Sequence, residues 1–124
     1  MATILATTTL ELTKAQKKEL FDDLSTAIIK TFKTPSIYFR QIDIDDCAGN
    51  YQDQLQVFIC VPPYMTVDRR RSLVKDVEEV KNKWVKVFPN FKLIVTYHYH
   101  DDEACGVDGV LRADAKAQAE ANNK

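Results

Sequence analysis

Two long stretches of the chain carry apolar residues at helical spacing, and runs typical of β-strands stand before and after each stretch. The first stretch, Lys14 to Phe32, follows Thr13, and the second, Val67 to Phe88, follows Thr66. The 3.6-residue period in both predicts two amphipathic helices. Thr66 stands 53 residues after Thr13, and the same offset carries Leu20 to Leu73, Leu24 to Val77 and Ala27 to Val80.

Runs rich in β-branched and apolar residues predict four strands. They cover Thr3–Leu10, Ile37–Ile44, Leu55–Val61 and Phe91–Tyr99. A proline follows each helix and stops it, because the residue before proline is pushed out of the α region. The order is therefore β-α-β-β-α-β, and a long repeat present only twice indicates an internal duplication.

Local signals set the ends of these elements. Thr13 and Gln16 have the spacing of a capping box at the start of the first helix. Gly106 and Gly109 predict a turn and a short hairpin near the C-terminus. Residues 113–124 have high helix propensity but no apolar face, so we expect a polar tail, either a frayed helix or disordered, after a single domain over residues 1–112.

An α+β protein with this element order can adopt two architectures. One is ferredoxin-like, with antiparallel central pairing. In the other, the two β-α-β units form one four-stranded sheet with both helices on one face. The run Leu55–Val61 is nearly continuous apolar sequence, which is typical of a strand covered on both faces. In the second architecture the helices cover only one face of this strand, so the other face needs cover from elsewhere.

The bulk composition narrows the function classes. The chain has 124 residues and a formal net charge of −1, which argues against a general nucleic-acid binder. No apolar run approaches the roughly 20 residues that span a bilayer, and the N-terminus does not resemble a signal peptide. The three cysteines lack metal-type spacing, which favours reduced thiols and a cytoplasmic protein.

Two groups of potentially reactive side chains have ordinary structural interpretations. Cys60 lies in an apolar strand, where we expect it to pack in the core. His98 and His100 stand two apart on a predicted strand, so they share a face and could bind a transition metal. Without a second spaced pair we favour hydrogen-bonded imidazoles at a strand end, and we expect neither a metal nor a cofactor.

The segment Thr34–Ile42 resembles the second strand of the 4-oxalocrotonate tautomerases, in which an arginine five residues after a proline contacts the substrate's carboxylate or carbonyl. The match lies on Pro35 and Arg40. The following loop, up to Tyr51, is similar to that of the fused-repeat cis-3-chloroacrylic acid dehalogenase subgroup. The resemblance covers roughly residues 2–110, and it implies the tautomerase fold, a homotrimer and an apolar active-site wall at Tyr51.

The same resemblance implies that catalysis should depend on an N-terminal proline, yet the residue after Met1 is Ala2. Removal of Met1 would expose a primary amine, whose unperturbed pKa is about 8 and which could still act as a base. The implied catalytic residues are Ala2, Arg40 and Tyr97. The implied substrate-binding residues are Tyr51, Arg69, Arg70 and Asp108.

Other positions depart from the dehalogenase pattern. Ile28 stands where those enzymes have a histidine, and their two arginines fall near Pro63 and Thr66. Arg69, Arg70 and Arg71 lie one turn further on, at the amide-rich start of the second helix, where arginines suit carboxylates or phosphates. The glutamate that those enzymes carry near the C-terminus has no clear counterpart in this sequence, and Asp108 is the nearest acidic residue. These departures argue against specific dehalogenation.

Two hypotheses about function therefore remain. In the first, the protein is a weak or altered tautomerase-type enzyme that acts on small 2-oxo or unsaturated carboxylic acids, with hydratase, dehalogenase or decarboxylase side reactions within its reach. In the second, it is a non-catalytic trimer that binds small acids or other proteins. Arg40 and Tyr51 favour the first hypothesis, and Ala2 favours the second.

Overall fold

The computed structural model describes residues 2–49 and 53–123, and they form one mixed sheet with helices packed on it. The strands of this sheet are β1 (Thr3–Thr8), β2 (Ser36–Gln41), β3 (Gln54–Val61) and β4 (Lys92–Tyr99). The two main helices are α1 (Lys14–Ile29) and α2 (Val67–Trp84). A 3₁₀ turn (Ile44–Asp46), a two-stranded hairpin (β5, Gly106–Val107; β6, Val110–Leu111) and helix α3 (Arg112–Asn122) complete the described elements.

The strand pairing decides between the two architectures that the sequence allowed. The order across the sheet is β2-β1-β3-β4. β1 pairs with β2, and β3 with β4, in parallel, while β1 and β3 pair antiparallel at the centre. Each β-α-β unit thus keeps its two strands side by side, which a ferredoxin-like sheet does not. The prediction of two β-α-β units in one four-stranded sheet is confirmed.

Both main helices begin where the sequence predicted. The Thr13 Oγ1 accepts a hydrogen bond from the Gln16 N–H at 3.2 Å, and the Gln16 Oε1 accepts one from the Thr13 N–H at 2.9 Å. This reciprocal pair is the predicted capping box, and it satisfies amides that a helix start leaves unpaired. Thr66 caps α2 in a similar way by accepting from the Arg69 N–H at 3.2 Å.

One hydrophobic core lies between the sheet and the two helices. Alternate residues of β1 and β3 enter it, and both helices bury one face against it. Its fully buried side chains include Ile4, Leu20, Leu24, Ile28, Leu55, Val57, Ile59, Leu73 and Val77. Both helices therefore cover the same face of the sheet, as predicted.

The opposite face of the sheet is open in the single chain. Leu5, Tyr38 and Phe58 lie on it with 43%, 60% and 39% of their surfaces exposed. Cys60 also lies on this face and is partly exposed. The expectation that Cys60 packs in the core is therefore wrong, because β3 alternates between a buried and an open face, and Cys60 shares the open face with Gln54, Gln56 and Phe58.

The ends of the elements differ from the sequence prediction by a few residues. α1 and α2 end before Phe32 and Phe88, and the residues after α2 continue in turns. The predicted hairpin is present as β5 and β6. The tail is helical in α3, which has no buried residue, in agreement with its missing apolar face.

Candidate active site

Ala2, the predicted catalytic position, lies immediately before β1 at one end of the sheet. Its side chain is 6% exposed, and its carbonyl oxygen accepts a hydrogen bond from the Ser36 N–H at 3.0 Å. Thr3 pairs with Cys60, so the antiparallel register places Ala2 opposite Val61, which pairs in turn with Tyr99. The start of the chain is therefore held firmly at the end of the sheet where β3 and β4 finish.

Tyr97 lies at the same end of the sheet, against α2. Its hydroxyl donates a hydrogen bond to the Arg70 carbonyl oxygen at 3.0 Å, and its ring stacks on Tyr99 at a centroid distance of 6.5 Å. The Arg70 guanidinium lies 5.2 Å from the centre of the Tyr99 ring, a cation–π contact. These contacts bring two predicted site residues, Tyr97 and Arg70, into one cluster.

The Tyr97 hydroxyl is a weaker acid in this environment than the hydroxyl of a free tyrosine. Burial, together with the neighbouring Tyr99, raises the pKa of Tyr97 to about 12, although the Arg70 charge acts in the opposite direction. The hydroxyl therefore stays protonated at neutral pH and can donate a hydrogen bond. A groove of about 510 Å³ runs beside it, lined in part by Arg70, Arg71 and Val74 of α2.

Tyr99 was missed by the sequence analysis, although it anchors the Arg70 guanidinium. The signal that could have revealed it is its spacing, because residues two apart on a strand point to the same face. Tyr97 and Tyr99 therefore both face α2, where an aromatic ring can meet the arginines of the first helical turn.

The three consecutive arginines of α2 point to different partners. Arg69 donates a hydrogen bond from its guanidinium to the Thr31 carbonyl oxygen at 3.0 Å, just after the end of α1. Arg71 forms an exposed ion pair with Asp68 at 3.1 Å. Only Arg70 joins the tyrosines, so the structure does not gather the three charges into one cluster.

Arg40 lies at the other end of the sheet from Ala2. It pairs with Thr7 in the parallel register of β1 and β2, five residues along the strand from Ala2. At about 3.3 Å per residue the two positions are about 16 Å apart, so one chain does not bring them together. Arg40 is exposed and lies on the open face of the sheet.

A polar pocket of about 220 Å³ lies near this second end of the sheet. It is lined by Thr7, Thr8, Thr9, Ile42, Cys47, Ala48, Gln54 and Gln56. Gln56 pairs with Thr7, which is itself the partner of Arg40, so the pocket and the guanidinium belong to neighbouring positions of the sheet. Hydroxyl and amide groups of this kind can hold polar oxygens of a small ligand.

Two predicted site residues, Asp108 and Tyr51, have no described contact with the other candidate residues. Asp108 occupies the turn between β5 and β6, with φ of 51°, followed by Gly109 with φ of 84°. Two successive positive φ values are those of a type I′ hairpin turn, for which Asp-Gly is a preferred sequence. The hairpin thus explains why Asp108 stands there. Tyr51 lies outside the described residues.

The two histidines occupy different environments. His98 is exposed on β4, beside Cys60, while His100 follows the strand and donates its backbone N–H to the Val61 carbonyl oxygen at 3.1 Å. The His100 Nδ1 is buried without a hydrogen-bond partner, in contrast to the hydrogen-bonded imidazoles that we expected. Within residues 2–49 and 53–123, no group of three or more His, Cys, Asp or Glu side chains is arranged to bind a metal ion.

The candidate residues thus lie in two groups at opposite ends of the sheet, which we call half-sites. The first half-site comprises Ala2, Arg70, Tyr97 and Tyr99 at the end where β1 starts. The second comprises Arg40 and the polar pocket at the end where β1 finishes. In the part of the chain that the structure describes, none of the helices is long and apolar enough to cross a membrane.

Comparison with solved structures identifies the fold. The chain is similar to native fused 4-OT, with a TM-score of 0.71 and 12% identity over 92% of this chain and 98% of that one. It is also similar to Pt0534 inactivated by 2-oxo-3-pentynoate, with a TM-score of 0.73 and 11% identity over 91% and 98% of the two chains. A third similar structure is FG41 malonate semialdehyde decarboxylase inhibited by 3-bromopropiolate, with a TM-score of 0.65 and 8% identity over 93% and 95%.

These relatives are tautomerase-superfamily proteins, and the chain has the tautomerase fold, as the sequence resemblance implied. The fused, two-unit form is shared as well, since the alignments span nearly the whole of both chains. No protein-family model matches the sequence, and no curated protein matches it. At such low identity the likeness extends to the fold, while the site must be argued from this chain's own residues.

Proposed function

We propose that this protein binds and acts on small 2-oxo or unsaturated carboxylic acids, with an activity that is weakened or altered because Ala2 replaces the catalytic proline. The observation that carries the proposal is the pair of half-sites on a tautomerase-fold sheet, one with the chain start and one with Arg40. Arg40 would hold the carboxylate or polarise a carbonyl, and the Ala2 amine would move the proton. Of the similar structures, Pt0534 is inactivated by 2-oxo-3-pentynoate and FG41 malonate semialdehyde decarboxylase is inhibited by 3-bromopropiolate, and both compounds are unsaturated acids.

The distance between the half-sites requires a second copy of the chain. A trimer that covers the open face of each sheet would place Arg40 of one copy near Ala2 of another. Leu5, Tyr38 and Phe58 are exposed on that face. Burying their apolar surface in a trimer would stabilise the assembly by about 25 cal/mol per Å². Other fused 4-OT structures are described as trimers, one symmetric and one asymmetric.

The proline substitution tests the enzyme hypothesis. In a protein whose Met1 has been removed, as verified by intact mass, Ala2→Pro should raise the ketonisation of enolised phenylpyruvate about 10-fold or more, since positioned acid–base catalysis usually contributes at least that much. Ala2→Ser is the matched control, because it keeps a flexible primary amine. A trimeric, processed Ala2→Pro protein with no gain would overturn the enzyme hypothesis.

Mixed assemblies test whether the site is shared between chains. A double variant, Ala2→Pro with Arg40→Ala, should lose the gain and be no more active than the unmodified protein. Co-expression of that double variant with the unmodified chain should restore part of the gain, because the proline of one copy would meet Arg40 of another. Mixed trimers without any recovery would show that the two half-sites do not meet.

A second candidate function is a trimer that binds small acids or proteins without catalysis. Specific contacts favour it: Arg69 is engaged by the Thr31 carbonyl oxygen, and Arg71 by Asp68. Because these two guanidinium groups already contact other parts of the chain, fewer cationic side chains remain to bind the substrate of a reaction. Binding of a 2-oxo acid by calorimetry, with no turnover in the Ala2→Pro variant, would support this function. The composition and cysteine content favour the cytoplasm as the site of action in both cases.

A further inference from the structure

An apolar groove of about 480 Å³ lies between α1 and the edge strand β2. Its aromatic lining consists chiefly of Phe21 from α1 and Phe39 from β2, whose rings meet edge to face at a centroid distance of 6.2 Å. Ile37 also lines it, and this residue packs against the core beside its register partner Ile4. The groove therefore lies along the side of the sheet that the helices cover, and we call it the β2 groove.

The rim of the β2 groove is cationic. Lys14, Lys17 and Lys18 of α1 line it, and all three residues are exposed. Among the described residues, none of these ammonium groups takes part in an ion pair, and the first turn of α1 contains no acidic residue. The lysines also oppose the positive end of the helix dipole. A negative charge from outside the chain would relieve both kinds of repulsion.

The second β-α-β unit has a similar groove in which the charges are balanced internally. The 53-residue offset between the two helices carries Lys18 to Arg71 and Ala15 to Asp68. Arg71 forms an ion pair with Asp68 at 3.1 Å, and Glu78 lines the groove beside Tyr97. In the first unit an alanine stands at the place of that aspartate. The first unit thus keeps the cations and the apolar wall but lacks the acids.

We propose that the β2 groove binds a free anionic amphiphile, a carboxylic acid with an apolar chain of the medium-chain fatty acid type. The chain would lie on Phe21 and Phe39, and the carboxylate would meet Lys17 and Lys18. The volume is within the range of about 300–1,000 Å³ that is typical of small-molecule pockets. A membrane surface is usually recognised by about four to eight clustered basic residues, more than this groove provides.

This site is separate from the two half-sites and does not need a reaction. Arg40 follows Phe39 on β2, so the two side chains point to opposite faces of the sheet. A trimer that covers the open face would therefore leave the helix side of β2 accessible. Tyr38 also borders the groove but belongs to the open face, and none of the proposed contacts involves it.

Decanoate is the probe, with affinity measured by calorimetry and the site located by backbone amide shifts. Lys17→Gln combined with Lys18→Gln should weaken binding about 5-fold or more, since each exposed ion pair contributes up to about 1 kcal/mol. Lys30→Gln combined with Lys33→Gln makes the same charge change beyond the far end of α1 and should alter the affinity less than about 2-fold. The first pair of changes removes cations near a helix start, so it should not destabilise the fold.

Amide shifts should centre on Phe21, Ile37 and Phe39, and be absent from Val74 in the second groove. Equal effects in both grooves, or equal affinity losses in the two lysine double variants, would overturn the proposal. Arg40→Ala should leave decanoate binding unchanged, and a loss there would instead place the acid at the half-site. Binding to phosphatidylglycerol vesicles or to an acidic peptide, with none to decanoate, would also overturn it in favour of those partners.

Discussion

The Tyr97 hydroxyl donates a hydrogen bond to the Arg70 carbonyl oxygen at 3.0 Å, and this contact ties the last strand of the sheet to the first turn of α2. The Arg70 guanidinium turns back over the Tyr99 ring. Backbone and side chain of one residue are thereby fixed against two tyrosines. The arrangement fixes Arg70 at the end of the sheet where β3 and β4 finish.

Tyr97→Phe removes this hydrogen bond. We expect the free energy of unfolding to fall by about 1 kcal/mol, the usual net contribution of one such bond. Urea unfolding at pH 7 measures it. Tyr99→Phe is the control, because it keeps the ring that faces Arg70 and should cost less. An equal loss in both variants would mean that the Tyr97 hydroxyl contributes no more to stability than the Tyr99 hydroxyl.

The same phenol makes stability depend on alkaline pH. A tyrosine in the unfolded chain ionises near pH ~10, whereas burial raises the pKa of Tyr97 to about 12 in the folded chain. Between these values the unfolded state has lost a proton that the folded state keeps, so stability falls as the pH rises. Because the group is partly exposed, we expect a loss of about 1 kcal/mol that is missing in Tyr97→Phe. Identical pH profiles in the two proteins would contradict this.

Arg69 and Arg71 should differ in their effect on stability, although they are close in sequence and both exposed. Arg69→Gln removes a charge-assisted hydrogen bond to the carbonyl that follows α1, and we expect a cost of about 0.5–1 kcal/mol. Arg71→Gln removes only an exposed ion pair with Asp68 and should cost less than about 0.5 kcal/mol. Thermal unfolding of the two variants measures both losses of stability. A larger loss in Arg71→Gln than in Arg69→Gln would contradict this prediction.

Asp23 should be the most sensitive polar position between the two helices. Its carboxylate accepts hydrogen bonds from the Trp84 indole N–H and the Lys83 ammonium, both at 2.9 Å. Asp23→Ala leaves the N–H of the nearly buried Trp84 unpaired, which costs about 1–3 kcal/mol. Glu19→Ala, which removes the other partner of Lys83, is the control and should cost less. Chemical unfolding followed by Trp84 fluorescence measures both.

A charge on the open face should prevent assembly if copies of the chain cover that face. Phe58→Lys places an ammonium at the centre of the face, which should turn a trimer into monomers at micromolar concentration in light scattering. Tyr64→Lys is the control, since Tyr64 is 73% exposed and lies outside the sheet. A Phe58→Lys protein that stays trimeric would place the interface elsewhere.

Much of the fold could be predicted because its determinants are local. Thr13 and Gln16 specify the start of α1 within three residues of chain, and Asp108-Gly109 specifies the hairpin turn in the same way. The repeated helical period identified both amphipathic helices, since a helix returns to the same face about every 3.6 residues. Resemblance at Pro35 and Arg40 then pointed to the architecture that the strand pairing confirms.

The site could be predicted less well, because it depends on which positions become neighbours. Nothing local to Arg40 and Ala2 reveals that they lie about 16 Å apart; the parallel register of β1 and β2 decides it. Nor does the sequence of three adjacent arginines reveal that one contacts the end of α1, one stacks on Tyr99 and one faces solvent. A helix turns about 100° per residue, so neighbours in sequence face different partners.

By itself, the sequence determined the order of the elements, their caps and turns, and the absence of a proline after Met1. Only the tertiary structure decided which face of β3 is buried, and so placed Cys60 beside His98 on the open face. The physical reason is that only Gln54 and Gln56 mark the open face in the sequence of β3, while residues 57–61 are apolar on both faces, so burial there depends on which face the helices cover. Helices α1 and α2 cover one face, and the other is open in the single chain and would be covered in the proposed trimer.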